Sequence, residues 1–478
     1  MTLKKATISN IKWSFIESIS LKLVGFVLTI ILARLLTPAD FGILAVVNVF
    51  YLLTNSFIDG GLKDALIQKK DATDIEYSSV FWINLVIAII VYIALFLAAP
   101  LIESFYKFES LAYYIRVQSI CLIIDSLAII QVVKSTKELN LKKITQSRIP
   151  ATLISFIVGV SLAYWGFGIM SLIIQQIVGS ILYFALLFYR VSYIPSFTLK
   201  FESLKPLYGF GLNLFFAGYL NRVYTQSMNL IYAKYYSPAI LGLYGKSRNL
   251  QQLPSNIVLE TLVKGSYPTM VKLQDDDNKI KNFYRNNIQV AILLITALSV
   301  FMFFQSKSII FILLGEKWLE MEMILKVVAI GGITVPLSNL NKNVLKVKGK
   351  GFLFLKLEIL KKIISIIIIV SLIKFSFITL IMWITVFEVF YSILEMYISG
   401  MQIKYSLLDQ IKDIQWIMIF IFIGGVGAQI CIEKMAITNP LVSVATFSLL
   451  IAVFSSLLFA TFNKLDVFRF MLKSFSRE

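Results

Sequence analysis

The chain contains no histidine among its 478 residues. Without imidazole, catalysis by histidine, histidine-ligated metals and histidine proton relays are all excluded. The only cysteines, Cys121 and Cys431, lie far apart in apolar runs, which favours two buried thiols over a disulfide or a metal site. The string G-x-x-x-x-G-K-[ST] is also missing, so ATP hydrolysis within this chain is not expected. We therefore expect neither a metal nor another cofactor.

Charged residues are scarce as well, at 15% of the chain, whereas hydrophobic residues make up 58% and the mean hydropathy is +0.81. Soluble proteins carry about 25% charged residues. The net charge of +18 would suggest nucleic-acid binding in a soluble protein. In a membrane protein the same excess reflects Lys and Arg in the cytoplasmic loops. The composition therefore predicts an all-α polytopic membrane protein and excludes nucleic acid as a partner.

Apolar runs long enough to cross a bilayer, about 20 residues each, predict fourteen transmembrane helices. Their approximate cores are 13–35, 40–59, 79–101, 113–133, 149–166, 168–188, 209–233, 239–262, 286–306, 322–343, 352–373, 376–397, 415–432 and 440–461. The first run has no small-residue cleavage site after it, which indicates a retained span and not a signal peptide. No loop between the runs is long enough for a folded catalytic domain.

The distribution of Lys and Arg predicts the orientation of the chain. With the N-terminus placed in the cytoplasm, the inner segments hold 29 Lys and Arg and the outer loops hold 9. This bias follows the positive-inside rule, and an even number of spans returns the chain to its starting side. Both termini are therefore predicted to be cytoplasmic.

Two ten-residue strings indicate an internal repeat. Residues 33–42 read ARLLTPADFG and residues 233–242 read AKYYSPAILG, with four identical positions at an offset of 200. In each string the proline breaks the first helix and the glycine allows a close turn into the next. Because six spans separate the copies, both run in the same direction. This predicts two six-helix lobes around a central cavity, at 1–200 and 201–400, followed by two additional helices at 401–478.

Cations within spans are the first candidate functional residues, since an uncompensated Lys or Arg at a span centre costs about 2.5–3.5 kcal/mol. Lys22 and Arg222 occupy equivalent places in the repeat, each on a helical face of small and polar residues. We predict that they bind an anion, with phosphate favoured, and a structural salt bridge is the alternative. Lys246 and Arg248 of the eighth span are further candidate cations, unless they reach outward to the membrane surface.

Amides and carboxylates complete the predicted cavity. The candidate polar lining, suited to sugar hydroxyl groups, comprises Asn48, Asn55, Asn249, Gln252, Asn256 and Asn339. The candidates for coupling to protons or sodium are Asp59, Asp125, Glu260 and Glu388. Pairing of these carboxylates with nearby Lys or Arg is the alternative.

The string at 33–42, the DGGL string at 59–62, and the stretches YGFGLNLF (208–215) and AKYYSPAILGLYGKSRNLQQLP (233–254) resemble a known family. They are similar to the Wzx-like flippases of polysaccharide repeat units, in the branch that exports colanic and teichuronic acids. This polysaccharide transporter family belongs to the MATE-like multidrug/oligosaccharidyl-lipid/polysaccharide (MOP) superfamily. In the lipid II flippases of that superfamily a first-span arginine precedes a Gly-Phe pair, and here Lys22 precedes Gly25 and Phe26.

The resemblance implies a transporter that flips an undecaprenyl-diphosphate-linked oligosaccharide to the outer leaflet of the bacterial cytoplasmic (inner) membrane by alternating access. It implies as partners the lipid-linked oligosaccharide, the membrane lipids, and the polysaccharide polymerase or export machinery, and we expect a monomer. A multidrug or metabolite exporter of the MATE-like branch is the alternative, and it would place carboxylates in the cavity. A polymerase or ligase is disfavoured because the outer loops, near 102–112 and 307–321, are short and histidine is absent.

Overall fold

The computed structural model describes the backbone of residues 3–461, and within them all side chains except some in the stretches 3–23, 201–217 and 257–265. The described part of the chain consists of helices and their connections. The first ten helices are α1 (Leu3–Leu35), α2 (Pro38–Asp59), α3 (Leu62–Gln68), α4 (Asp74–Tyr106), α5 (Leu111–Gln118), α6 (Ile120–Lys137), α7 (Leu141–Tyr164), α8 (Ile169–Val191), α9 (Phe201–Tyr235) and α10 (Pro238–Lys272). The remaining helices are α11 (Asp277–Phe304), α12 (Ser306–Leu313), a 3-10 helix (Glu316–Met321), α13 (Glu322–Gly332), α14 (Thr334–Val347), α15 (Gly351–Leu372), α16 (Phe377–Met401), α17 (Leu407–Lys434) and α18 (Pro440–Thr461).

The helices confirm the all-α polytopic membrane fold. Among the described residues, 10 helical segments are long and apolar enough to cross a membrane, with α5–α6 and the segment Glu316–Val347 each counting as one. Four further long helices, α1, α9, α10 and α15, carry charges inside their apolar stretches. The helices are therefore consistent with the fourteen spans predicted from the sequence.

The chain forms two compact units, Met1–Gly242 and Leu243–Glu478. The lobe boundaries near residues 200 and 400 expected from the repeat stay predictions. In the first unit, one apolar cluster joins α3, α4, α6 and α9 through buried residues that include Leu66, Val80, Ile130 and Leu204. Burying such aliphatic side chains stabilises helix packing by about 1.5–3 kcal/mol each relative to exposure in water.

The two repeat strings begin helices in the same way. The Thr37 hydroxyl accepts a hydrogen bond of 3.3 Å from the backbone N–H of Asp40, and the Ser237 hydroxyl accepts one of 3.3 Å from Ile240. Each hydroxyl caps an orphan N–H in the first turn of a helix that starts with proline. The repeat at an offset of 200 therefore appears in the structure as two equivalent helix starts.

The same two strings also contact each other inside the first unit. A side-chain carbon added to Gly42 would overlap the backbone of Pro238, and one added to Gly242 would overlap the backbone of Pro38. Each copy thus supplies the glycine that accommodates the first residue of the other copy's helix. We call this reciprocal contact the glycine–proline crossing.

The segment between α8 and α9 is bound to the start of α4. Trp82 donates a 2.8 Å hydrogen bond from Nε1 to the carbonyl oxygen of Ser196 and stacks on Phe197 with ring centroids 5.0 Å apart. The Ser79 hydroxyl accepts a 3.0 Å hydrogen bond from the backbone N–H of Lys200. The connection between the two copies of the repeat is therefore anchored within the first unit.

The second unit has its apolar core among α11, α14, α16, α17 and α18. Ile292, Leu340, Phe420 and Phe459 are among its buried members, so the last two helices pack into this core. A buried polar network crosses the same core. Asn341 Oδ1 accepts hydrogen bonds from the Tyr284 hydroxyl at 2.5 Å and the Ser399 hydroxyl at 2.8 Å.

Candidate functional site

A polar cavity of about 690 Å³ lies within the first unit, between α2, α3, α5, α6, α7, α8 and α9. Apolar side chains such as Ile129 and Val132 form the rest of its wall. The polar and charged lining residues are Tyr51, Asn55, Ser56, Asp59, Lys63, Gln118, Asp125, Arg148, Thr152, Gln176, Ser180, Tyr183 and Arg222. A lining with this polarity in a membrane-spanning bundle suits a hydrophilic ligand.

Three cations and two carboxylates line the cavity. Arg222 reaches from α9 and donates from Nη1 to the Ser56 hydroxyl of α2. Arg148 lies on α7, where its Nη1 is 3.5 Å from Glu17 Oε1 and its guanidinium is 4.8 Å from the centre of the Tyr183 ring. Lys63, at the start of α3, is the third cation. The cations exceed the lining carboxylates by one, which favours an anionic ligand.

Glu17 positions Arg148 from outside the cavity lining. Its second carboxylate oxygen accepts a 3.1 Å hydrogen bond from the Thr145 hydroxyl, one turn before Arg148 on α7. The carboxylate is thereby tied to both residues on the facing helix. This leaves the guanidinium anchored on one side by Glu17 and open to the cavity on the other.

The two lining carboxylates have different surroundings. Asp125 accepts a hydrogen bond from the Tyr51 hydroxyl, and the Asn55 amide donates to the Tyr51 oxygen at 3.5 Å. Asp59 lies near Lys63 and Arg222, yet its buried Oδ1 has no hydrogen-bond partner among the described residues. Asp125 therefore belongs to a short hydrogen-bonded chain, whereas Asp59 keeps one free acceptor.

Two glutamines and a tyrosine supply groups that can bind hydroxyls. The Gln118 amide donates to Gln176 Oε1, which joins α5 to α8 across the cavity wall. Within the described part of the chain, Gln118 Oε1 and the Tyr183 hydroxyl are buried without a hydrogen-bond partner. Unpaired buried polar groups of this kind gain about 1–3 kcal/mol when a ligand supplies the missing partner.

Four of the residues predicted from the sequence come together in this cavity: Asn55, Asp59, Asp125 and Arg222. Two others from the first unit do not line it. Lys22 is half-buried on α1, and Asn48 is half-buried on α2, about two turns before Asn55. The predicted pairing of Lys22 with Arg222 around one ligand stays a prediction.

The remaining predicted residues lie in the second unit. Lys246 is buried, with its ammonium 6.0 Å from the centre of the Trp318 ring, and the exposed Arg248 lies 5.7 Å from the Tyr244 ring. Asn249 and Asn256 are exposed, whereas Gln252, Asn339 and Glu388 are half-buried. The side chain of Glu260 lies outside the described residues.

Sequence reasoning missed Arg148 as a cavity residue. It counted this arginine with the cytoplasmic loop, because the apolar run begins only at residue 149. The structure starts α7 at Leu141, so Arg148 already lies on the second turn of the helix. Gln118 and Gln176 are amides inside apolar runs, and this pattern could have predicted a polar cavity wall.

Among the described residues no three Cys, Asp or Glu side chains come together as metal ligands.

Comparison with known proteins places the chain in a family. Residues 31–323 match the family model described as polysaccharide biosynthesis protein. The lipopolysaccharide biosynthesis protein WzxC of Escherichia coli (strain K12) is 27% identical over 77% of this chain and 75% of its own length. The teichuronic acid biosynthesis protein TuaB of Bacillus subtilis (strain 168) is 23% identical over 73% of each chain.

Solved structures share the fold. The lipid II flippase MurJ, in an inward closed conformation, aligns with a TM-score of 0.72 at 15% identity, over 95% of this chain and 99% of that chain. An inward-facing multidrug resistance transporter of the MATE family aligns with a TM-score of 0.60 at 12% identity, over 80% of this chain and 94% of that chain. The family match spans more than half of the chain, and the fold is that of the MOP superfamily. The chain therefore belongs to the polysaccharide biosynthesis protein family.

Proposed function

We propose that this multi-pass bacterial membrane protein is a flippase for a prenyl-diphosphate-linked oligosaccharide, the undecaprenyl-diphosphate form being the expected substrate. The observation that carries the proposal is the polar cavity of about 690 Å³, lined by three cations and by unpaired amide and hydroxyl groups. Relatives named for lipopolysaccharide, teichuronic acid and succinoglycan biosynthesis or transport support the same class of substrate.

The cations of the cavity suit a diphosphate. Arg222 donates to a neutral serine hydroxyl, so its charge is not neutralised by that contact. A phosphate oxygen replacing this hydroxyl forms a charge-assisted hydrogen bond, which is roughly twice as strong as a neutral one. Lys63 and Arg148 add positive charge to the same cavity. We therefore assign the diphosphate to Arg222 and Lys63, with Arg148 contributing from α7.

The glycan is expected to bind the amide and hydroxyl groups of the cavity. Gln118 Oε1 and the Tyr183 hydroxyl are the described groups with free capacity there. The prenyl chain stays in lipid, because burying it in a polar cavity would forfeit about 0.8 kcal/mol for each methylene. Lys22 and the predicted residues of the second unit, Lys246 and Arg248 among them, remain further candidates for substrate contact.

Topology and setting follow from the same proposal. The excess of basic residues in alternate loops, 29 against 9, supports cytoplasmic termini. Export of a surface polysaccharide unit requires the bacterial cytoplasmic membrane, next to the polymerase or export machinery that consumes the flipped unit. The protein moves its substrate without covalent chemistry, and a monomer suffices for it.

A multidrug exporter is the second candidate, because the MATE fold is shared and Asp59 and Asp125 line the cavity. Organic cations would bind these carboxylates, whereas the lipid-linked diphosphate would bind the three cations. The charge of the transported molecule therefore distinguishes the two functions.

The test measures flipping in proteoliposomes with a polyprenyl-diphosphate disaccharide that carries a fluorophore quenchable from outside. Wild-type protein should expose the fluorophore faster than empty liposomes do. Arg222→Ala should lower the rate by about 10- to 150-fold, because a hydrogen bond to a charged group contributes about 1.5–3 kcal/mol. Arg190→Ala is the matched control, since Arg190 lies in the last turn of α8, outside the cavity lining, and donates to Gln146 at 3.3 Å.

Two results would contradict the proposal. If the Lys22→Ala, Arg222→Ala double variant flips as fast as Arg190→Ala, the cationic site is not where the diphosphate binds. If wild-type protein moves a fluorescent organic cation and leaves the anionic lipid in place, the multidrug function replaces the flippase.

A further inference from the structure

A buried carboxylate in the second unit is not used by the proposed flipping mechanism. Glu395, on α16, is 2% exposed, and its Oε2 atom has no hydrogen-bond partner among the described residues. An ionised carboxylate in such a place loses several kcal/mol of hydration, and only a contacting cation or hydrogen-bond donors could offset this. Protonation removes the penalty. We propose that Glu395 is a proton-binding site.

A lysine shared between two carboxylates supports this assignment. Lys342 of α14 pairs with Glu358 of α15, with Nζ 2.6 Å from Oε1. Both residues also lie close enough to act electrostatically on Glu395. One cation thus faces two carboxylates and contacts the more exposed of them. With Glu395 protonated, the group of three carries one positive and one negative charge.

Few other groups act on Glu395. On α15, Lys361 lies near it, with its ammonium 5.4 Å from the ring centre of Tyr391, a residue of α16 itself. Ser338 of α14 places its hydroxyl beside the carboxyl group, and Tyr284 of α11 lies close enough to interact with it. Lys342 acts more strongly on the carboxyl group than Lys361 does, so Lys342 is the stronger candidate for an ion pair.

Among the described residues, the ion pairs made by the other helices that pack against α16 do not include Glu395. On α13, Glu322 and Lys326 pair with each other at 2.6 Å. On α17, the carboxylate of Asp413 pairs with Arg285 of α11 and accepts a hydrogen bond from Tyr405. The balance of charge at Glu395 is therefore set by α14 and α15.

These surroundings define two arrangements. In the first, Glu395 holds the proton and Lys342 pairs with Glu358, as the structure shows for that ion pair. When the proton leaves for water, the Lys342 ammonium turns toward the newly charged Glu395, and Glu358 remains partly exposed. The three residues lie five to seven positions from the ends of α14, α15 and α16 near Val347, Gly351 and Met401, or about 8–10 Å along the helix axis. The proton therefore exchanges with one side of the membrane, predicted to be the cytoplasm.

The site goes beyond the proposed function, because it requires proton binding alone and no substrate. Its failure leaves the flippase proposal intact, and failure of flipping leaves this site untouched. The movement of Lys342 between α15 and α16 is a candidate for coupling protons to transport.

Infrared difference spectroscopy of the purified, reconstituted full chain tests the proposal, with pH as the only variable. Wild-type protein should show the carbonyl band of a protonated carboxyl group that disappears at high pH. Glu395→Gln, which mimics the neutral acid and should fold normally, should lose the component of the band that Glu395 contributes. Glu322→Gln is the matched control, because Glu322 is a half-buried carboxylate of the same unit that pairs with Lys326 at 2.6 Å. That variant should keep the band.

A second variant tests the sharing of Lys342 and leaves Glu395 in place. Glu358→Gln removes one negative charge and frees Lys342, so the band should disappear at a pH lower by at least about one unit, since a contacting cation shifts a carboxyl titration by about 1–3 units. An undiminished band in Glu395→Gln, a band that responds to sodium at constant pH, or the absence of the band from the wild type would overturn the site. An unchanged or higher midpoint in Glu358→Gln would also overturn it.

Discussion

A single methyl group at Gly42 should open the glycine–proline crossing. The added Cβ would lie 2.5 Å from the carbonyl carbon of Pro238 and 3.0 Å from its Cα, whereas carbon atoms in contact are normally about 3.5–4.0 Å apart. The carbonyl oxygen of Pro238 would overlap the added carbon even more closely, so the two helix starts must separate by more than about 1 Å. Because backbone atoms cannot rotate away as a side chain can, we expect the usual overpacking penalty of about 1–3 kcal/mol to fall on the crossing.

Cysteine labelling measures this opening. Ala233, in the second repeat string, is 1% exposed, so a cysteine there should react with a hydrophilic maleimide only when the crossing opens. The native thiols, Cys121 and Cys431, are first replaced by serine. When opening is fast, the labelling rate follows the open population. A penalty of 1–3 kcal/mol should make labelling about 5- to 150-fold faster in Gly42→Ala, at tenfold for each 1.4 kcal/mol.

The control lies in the same helix as the second glycine. A side-chain carbon at Gly245, three positions after Gly242, would meet nothing within 4 Å, so Gly245→Ala should label like the parent. Gly242→Ala should match Gly42→Ala because the contact is reciprocal. The double variant should be labelled only slightly faster than either single variant, since one separation of the two helix starts relieves both overlaps. The reasoning would be refuted if Gly42→Ala and Gly245→Ala were labelled at the same rate. It would also be refuted if the acceleration of labelling in the double variant were the product of the two single accelerations.

Three further predictions concern single side chains. Trp82→Phe removes the 2.8 Å hydrogen bond to Ser196, so chymotrypsin should cut the segment between α8 and α9 about 2- to 12-fold faster, for the roughly 0.5–1.5 kcal/mol of one hydrogen bond. Asn341→Leu removes the shorter acceptor of two buried hydroxyls, which keep longer bonds to Gln410 and Met396, and should destabilise the second unit by about 0.5–1.5 kcal/mol for each lost hydrogen bond, seen as a lower midpoint in an SDS-unfolding titration. Backbone hydrogen bonding from Lys279 holds the pKa of Asp276 below its ordinary value. Wild type should therefore have a higher free energy of unfolding than Asp276→Asn at neutral pH. This difference should shrink as the pH falls through the lowered pKa of Asp276, which unfolding measurements at about pH 7 and pH 3 would show.

Each of these has a matched control. Trp383 is 55% exposed in the second unit, so Trp383→Phe should leave cleavage unchanged. Among the described residues Asn339 donates to the Val335 carbonyl on its own helix, so Asn339→Leu should change the SDS midpoint less than Asn341→Leu. Asp275→Asn should change the free energy of unfolding at about pH 7 less than Asp276→Asn does, because Asp275 is exposed and does not cap α11. Equal effects within any of these pairs would contradict the corresponding prediction.

Much of the fold could be read from the sequence because lipid imposes strong constraints. Apolar runs of about 20 residues must be helices in a bilayer, and the strings at 33–42 and 233–242 correctly placed two helix starts. Their reciprocal contact could not be read in the same way. It depends on the three-dimensional approach of two backbones, and neither glycine carries a side chain that could indicate a partner.

The cavity was only partly predictable. Asp59, Asp125 and Arg222 stand out because charges inside apolar runs are costly, and all three line it. Arg148 escaped notice because a cation at the edge of an apolar run is normally counted with the adjacent loop. Lys22 resembled Arg222 in sequence position but does not line the cavity. Position along a span predicts depth in the membrane, whereas the direction of a side chain depends on neighbouring helices.

The glycine–proline crossing also determines when the first unit can be completed during synthesis on the ribosome. Its second half, Pro238 and Gly242, is synthesised well after residue 200, where the first copy of the repeat ends, and Arg222 of the cavity wall also comes later. At about 5–20 residues per second, the ribosome needs roughly 2–8 s to add the stretch 201–242. During that interval the nascent six-helix segment lacks one wall of its cavity and the contact that joins its two helix starts. The first unit thus becomes complete only when the second copy of the repeat has begun to insert.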